Sequence, residues 1–183
     1  MENLEKRMYS LNLYNISARQ VSIQAYHSGV ECIVEYILKE VLDFHLLKRD
    51  DLNNIDLDIL DWAMNWKTVI LLNGGVTSTL TTYLKYLQDR GIKCMPFYEP
   101  DLGGAITSIS FVLNSNSFEK ENVPMFIDSF FRKFKYDEYD NMLNSVYYLS
   151  DVEKEEFYYY KDRIGDKNLF LKFFTSKFSL SNN

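Results

Sequence analysis

Cysteine is scarce: only Cys32 and Cys94, far apart in a chain of 183 residues. That excludes a disulfide-dense framework and a multi-cysteine metal site, and the expectation is two reduced, buried thiols. Histidine is equally rare, with His27 and His45 alone. No set of His, Cys or carboxylates has ligand spacing, so neither a metal nor a cofactor is expected. Three prolines and seven glycines leave no linker or low-complexity segment. No apolar run approaches the ~18 residues that span a bilayer. The opening MENLEKRMYSLNLYN has no signal-peptide core. These absences point to a soluble, cytoplasmic chain with no membrane partner. Positive charge is also short, 20 Lys and Arg against 26 Asp and Glu, a formal net charge of -6. That argues against a broad nucleic-acid surface, because phosphate binding needs clustered cations, and leaves room for a local basic patch.

What is present is a core. Hydrophobic residues make up 46% of the chain, ample for one sizeable domain with an extension. Residues 7 to 14, RMYSLNLY, alternate as a strand. Ser17 then stands at an N-cap with Gln20 in capping-box spacing. A long helix, 18 to 44, should follow, with Val21, Ala25, Ile33, Ile37 and Val41 among its apolar positions. RDDLNNIDLDILDWAMNW reads as a polar loop running into a short helix. KTVILLNGG, nearly all apolar, predicts a strand buried on both faces. TSTLTTYLKYLQDRG is a helix ended by Gly91 at C′. CMPFYEPD is a short strand whose prolines place it at an edge or bulge. AITSISFVLNS alternates again, with Ile106, Ser108, Ser110 and Val112 against Thr107, Ile109, Phe111 and Leu113. The order is β-α-(α)-β-α-β-β, so crossovers should build a mixed or parallel sheet flanked by helices: an α/β fold over residues 1–117.

From 118 to 183 the character changes. Of the 29 aromatics, 17 lie there. Most segments look helical, although NLFLKFFTSKF fits helix or strand. The expectation is an aromatic-rich, mainly helical C-terminal extension packed on the first domain. FYYYKD reads as core and interface rather than a base-stacking platform, since Glu153, Glu155 and Glu156 beside it repel phosphate.

The segment ISARQVSIQAYH resembles the M-S-x-G-K-x-A-x-Q-x-x-H turn of the type 2 peptidyl-tRNA hydrolases. Ile16, Ser17, Gln24 and His27 stand for its Met, Ser, Gln and His. Trp66-Lys67-Thr68-Val69 resembles the strand before that family's second helix, and the helix end R-G-I is similar too. Pro100-Asp101-Leu102-Gly103-Gly104 resembles the D-A-G-R turn, and ITSISFV the final T-V-T-V-L-x-I strand. The likeness covers roughly residues 7 to 114. It implies a four-stranded mixed sheet and hydrolysis of the ester joining a peptide to tRNA. It also implies a catalytic set of His27, Asp101, Gln24 and Gln20, with Ser17, Arg19, Gly103, Gly104 and Thr107 at the substrate. Two departures bear on activity: Arg19-Gln20 replaces the glycine-lysine pair, and Gly104 replaces the arginine.

Two functions follow. One is an ester hydrolase acting on peptidyl-tRNA or a related acyl bond. The other is a catalytically inactive chain of the same fold, using its aromatic extension or the insert at 46 to 65 to bind a protein or a second copy of itself as a dimer. The simpler alternatives are a structural His27, Gln20 as a capping partner, and Asp101 as a turn residue. Asn73-Gly74-Gly75 reads as a strand-to-helix turn rather than a phosphate loop, and His45 as a surface residue.

Overall fold

The computed structural model describes residues 4–42, 56–118, 121 and 123–181. His45, the end of the first helix beyond 42 and most of the 46–65 insert's first half lie outside them. The chain forms two compact units, one of residues 1–112 with 179–183 and one of residues 113–178. The first unit therefore ends inside a strand, not at 117 where the composition changes.

Unit one is α/β. Its strands are β1 (Lys6–Leu13), β2 (Thr68–Gly75), β3 (Cys94–Glu99) and β4 (Ala105–Asn114), the last running two residues into unit two. They form a mixed sheet of order β2-β1-β4-β3, with β1 parallel to β2 and β3 antiparallel to β4. Helices α1 (Ala18–Ile33), α2 (Leu57–Asp61) and α3 (Thr77–Asp89) flank it. The first helix passes into a π-helical stretch, Val34–Leu38, and α2 into another, Trp62–Trp66. Each marks a one-residue slip of the helical ladder that periodicity does not announce.

Local chemistry sets the boundaries. Ser17 caps α1 in a complete capping box with Gln20. Helix α3 closes in a Schellman motif: Gly91 (φ +67°) donates to Gln88 O and Ile92 to Leu87 O. Asn73-Gly74-Gly75 is strand running into α3, and β2 is bulged there, Asn12 pairing with Asn73 but Leu13 with Gly75. A Cβ on the extra residue, Gly74, would meet Leu80 Cδ2 at 2.5 Å and the Asn12 backbone at 3.1 Å, so any other residue here must displace both.

One expectation is corrected. KTVILLNGG is not buried on both faces: β2 is an edge strand of the four, Val69 is 40% exposed, and only Leu72 and Gly74 are buried. An apolar run states how much wants burial, not where the strand sits. The outer side of β2 is met by residues 179–181. Asn73 N–H donates to Ser179 O and Ser181 N–H to Leu71 O. The unit-one core gathers Met8, Cys32, Ile37, Ile59, Trp62 and Val112. Both cysteines are free and buried, Cys32 in this cluster; burial raises both thiols, Cys94 to about 12. They sit as small apolar side chains.

Unit two is helical: α4 (Ser115–Phe118), α5 (Ile127–Phe131), α6 (Tyr139–Ser145), α7 (Asp151–Ile164) and α8 (Asp166–Thr175). NLFLKFF is thus helix, started by Asp166 after Gly165. A second capping box, Ser150 with Glu153, starts α7. The interior is built from aromatic pairs: Phe131–Phe173 and Tyr139–Phe173 at 5.4 Å, Tyr139–Phe170 at 5.3 Å, and Phe130–Phe157 at 6.1 Å. In FYYYKD, Phe157 and Tyr160 are buried while Tyr158 and Tyr159 face out, the spacing of one helical face.

Candidate functional site

The site lies where α1 crosses β3 and β4. Ser17 Oγ accepts the Gln20 N–H at 3.3 Å, and Gln20 Oε1 accepts the Ser17 N–H at 3.0 Å. Gln20's carbonyl oxygen is therefore taken by the helix start, and both side chains are exposed along with Arg19.

Gln24 is buried, and its amide is held at both ends. Thr107 Oγ1 donates to Oε1 at 2.6 Å, and Nε2 donates to Glu99 Oε2 at 2.6 Å. The carboxylate makes the second bond charge-assisted and fixes which end of the amide is nitrogen. Thr107 reaches Gln24 because β4 is bulged: Phe97 pairs with Ser108 and Tyr98 with Ile106, leaving Thr107 as the extra residue. In a regular strand Thr107 and Ser108 would face opposite sides of the sheet. Here both meet Gln24, Ser108 Oγ donating to its backbone O at 2.7 Å.

The polar seam continues along α1. Ser28 Oγ and Ser110 Oγ are 2.6 Å apart, and Cys32 Sγ donates to Ser110 O at 3.3 Å. Gln24, Ser28 and Cys32 recur at i, i+4 and i+8, one line of the helix against β4.

His27, half-buried, stands T-shaped against Phe97 with centroids 4.4 Å apart. Beside it a pocket of about 240 Å³ is lined by Tyr26, His27, Val30, Glu31 and Phe97. Asp101 is exposed on the 3-10 turn Pro100–Leu102. Among the described residues no hydrogen bond ties Asp101 or Arg19 to Gln24 or His27. The turn's glycines take a different part from the one expected. Gly103 N–H donates to Pro100 O and Gly104 N–H to Glu99 O, so neither is directed at a substrate. Both have positive φ, 65° and 78°, and they shape the turn.

The structure thus joins Ser17 with Gln20, Gln24 with Thr107, and His27 with Phe97. Sequence reasoning passed over Glu99. It lies in no motif, although its spacing from Phe97 on β3 places both on one face. Among the described residues no group of three or more His, Cys, Asp or Glu is arranged to hold a metal. None of the described helices is long and apolar enough to cross a membrane. No family model, curated protein or solved structure matches the chain.

Proposed function

We propose that the chain is a divergent relative of the type 2 peptidyl-tRNA hydrolases, cleaving the ester between a peptide and tRNA or a related acyl bond. The observation that carries this reading is Gln24, the glutamine of the Q-x-x-H resemblance, locked between Glu99 and Thr107 one turn from His27. A buried amide held at both ends is a preorganised group, and a β-bulge beside it is a frequent companion of active sites.

In this reaction a water attacks the ester carbonyl carbon. Asp101 or His27 takes the water's proton, and the ribose 3′ oxygen leaves with a proton in turn. The oxyanion needs donors; Arg19 and the amide nitrogen of Gln20 supply them at the helix start. Hydrolysis of N-acetyl-aminoacyl-tRNA by the purified chain tests the reading. Turnover should fall about 10²-fold or more in Asp101→Ala or His27→Ala. No turnover at high enzyme concentration sinks it.

A second reading, a non-catalytic binding protein of the same fold, is favoured by one observation in unit two. Tyr147, Tyr148 and Tyr159 are 76%, 84% and 71% exposed, although other aromatics build that unit's interior. Exposed tyrosines suit a protein interface or a homodimer. Under this reading Tyr148→Ala with Tyr159→Ala abolishes activity in cells, and Asp101→Ala with His27→Ala leaves it unchanged.

A further inference from the structure

We infer that the pocket beside His27 is a binding site for an organic cation of the alkylammonium class. Its walls are three aromatic rings, Tyr26, His27 and Phe97, with Val30 and the carboxylate of Glu31. Rings and a carboxylate together, with no Lys or Arg in the lining, are the two kinds of partner that an ammonium group uses: a π-face and a counter-charge. The space, about 240 Å³, holds about eight atoms the size of a water molecule, the scale of a short alkylamine or a basic side chain.

Three further observations fit this charge. Glu99, two residues beyond Phe97 on β3 and on the same face, carries a second carboxylate outside the lining, held by the N–H that Gln24 Nε2 donates to it. Further along the first helix the basic Lys39 is already paired with Glu35. Tyr26 is 71% exposed, so its ring is accessible to a ligand without rearrangement. A nucleobase would also stack on such rings, but the phosphate attached to it would meet Glu31. The site does not depend on the hydrolase reading: an ammonium group binds here whether or not an ester is cleaved nearby.

The test is an NMR titration of the full chain with n-butylammonium, with n-butanol and adenosine 5′-monophosphate as comparisons. Butylammonium should give saturable shifts confined to Tyr26, His27, Val30, Glu31 and Phe97, with butanol binding about fivefold or more weaker. Glu31→Gln, at an exposed position that folding does not rely on, should weaken butylammonium about three- to fivefold and leave butanol unchanged. Phe97→Leu should weaken it further. Equal binding of butanol and butylammonium, tighter binding of the nucleotide, or shifts scattered over other surfaces would each overturn the assignment.

Discussion

The two units solve the interior problem in opposite ways. Unit one laces its core with polar side chains. Ser10, Asn12, Gln24, Ser28, Thr107, Ser108 and Ser110 are all buried, and each has a partner. Unit two fills its core with rings, and the buried Tyr160 Oη has no hydrogen-bond partner among the described residues. Satisfied polar networks specify one geometry, because every misalignment strands a donor or acceptor. Aromatic packing supplies more apolar burial per side chain and tolerates some slippage between rings. A site needs the first kind of interior, which is where Gln24 sits.

The largest expected effect tests the aromatic half. Phe173 is fully buried, touches the rings of Phe131 and Tyr139, and lies under Lys177 Nζ at 4.2 Å. Phe173→Ala should destabilise by about 3–5 kcal/mol in urea unfolding. Hydrogen exchange should show protection lost first in α5, α6 and α8. Equal, simultaneous loss in β1 and β4 would mean that the two interiors are not separable.

Next comes the polar half. Gln24→Leu leaves the Thr107 hydroxyl only its longer 3.4 Å bond to Phe97 O, takes the amide donor from the half-buried Glu99 carboxylate, and should cost about 2–3 kcal/mol. Adding Thr107→Val should recover part of that loss. A purely additive pair would show that the bulge and the glutamine are not coupled.

A pH profile separates the units more finely. Burial lowers Lys177 to about 8, against an ordinary value of 10.5. It does so although Nζ sits over the Phe173 ring and donates to Phe131 O. Between those values the unfolded chain holds the extra proton, so stability rises as pH is raised from about 8 towards 10.5. Measured against Lys177→Met, the parent chain should gain stability from pH 8 to 10, and a flat difference would contradict the lowered ammonium at this half-buried site. The smallest effect is Tyr160→Phe. Removing a buried hydroxyl without a partner should be neutral or stabilising, by under about 1 kcal/mol in the urea midpoint.

Much of unit one was legible in order. The strand and helix sequence, the Ser17 box, the Gly91 stop and the edge position of β3 follow from local rules, because each depends on residues within a few positions. What was not legible depended on pairing. An edge strand and a buried strand of the same apolar run look alike until neighbours are known, hence β2. The bulge at Thr107 is a mismatch between two strands and belongs to neither alone. Glu99 matters through Gln24, which is distant in sequence. The aromatic segments of unit two fitted helix and strand alike, and Ser150 and Gly165, rather than the rings, decide for helix.

The β-bridge at Leu180, with the hydrogen bonds of residues 179–181, has a consequence in time. Unit two begins in the last two residues of β4 and ends just before these residues in sequence, so a chain growing from its N-terminus completes the four strands long before it can cover the outer side of β2. Until residue 181 emerges, the N–H of Asn73 and the carbonyl of Leu71 face outward as a template for another strand. Synthesis that stops in unit two beyond Asn114 therefore releases a chain with all four strands but with the outer side of β2 uncovered. The hydrogen bonds of residues 179–181 are what cover that template.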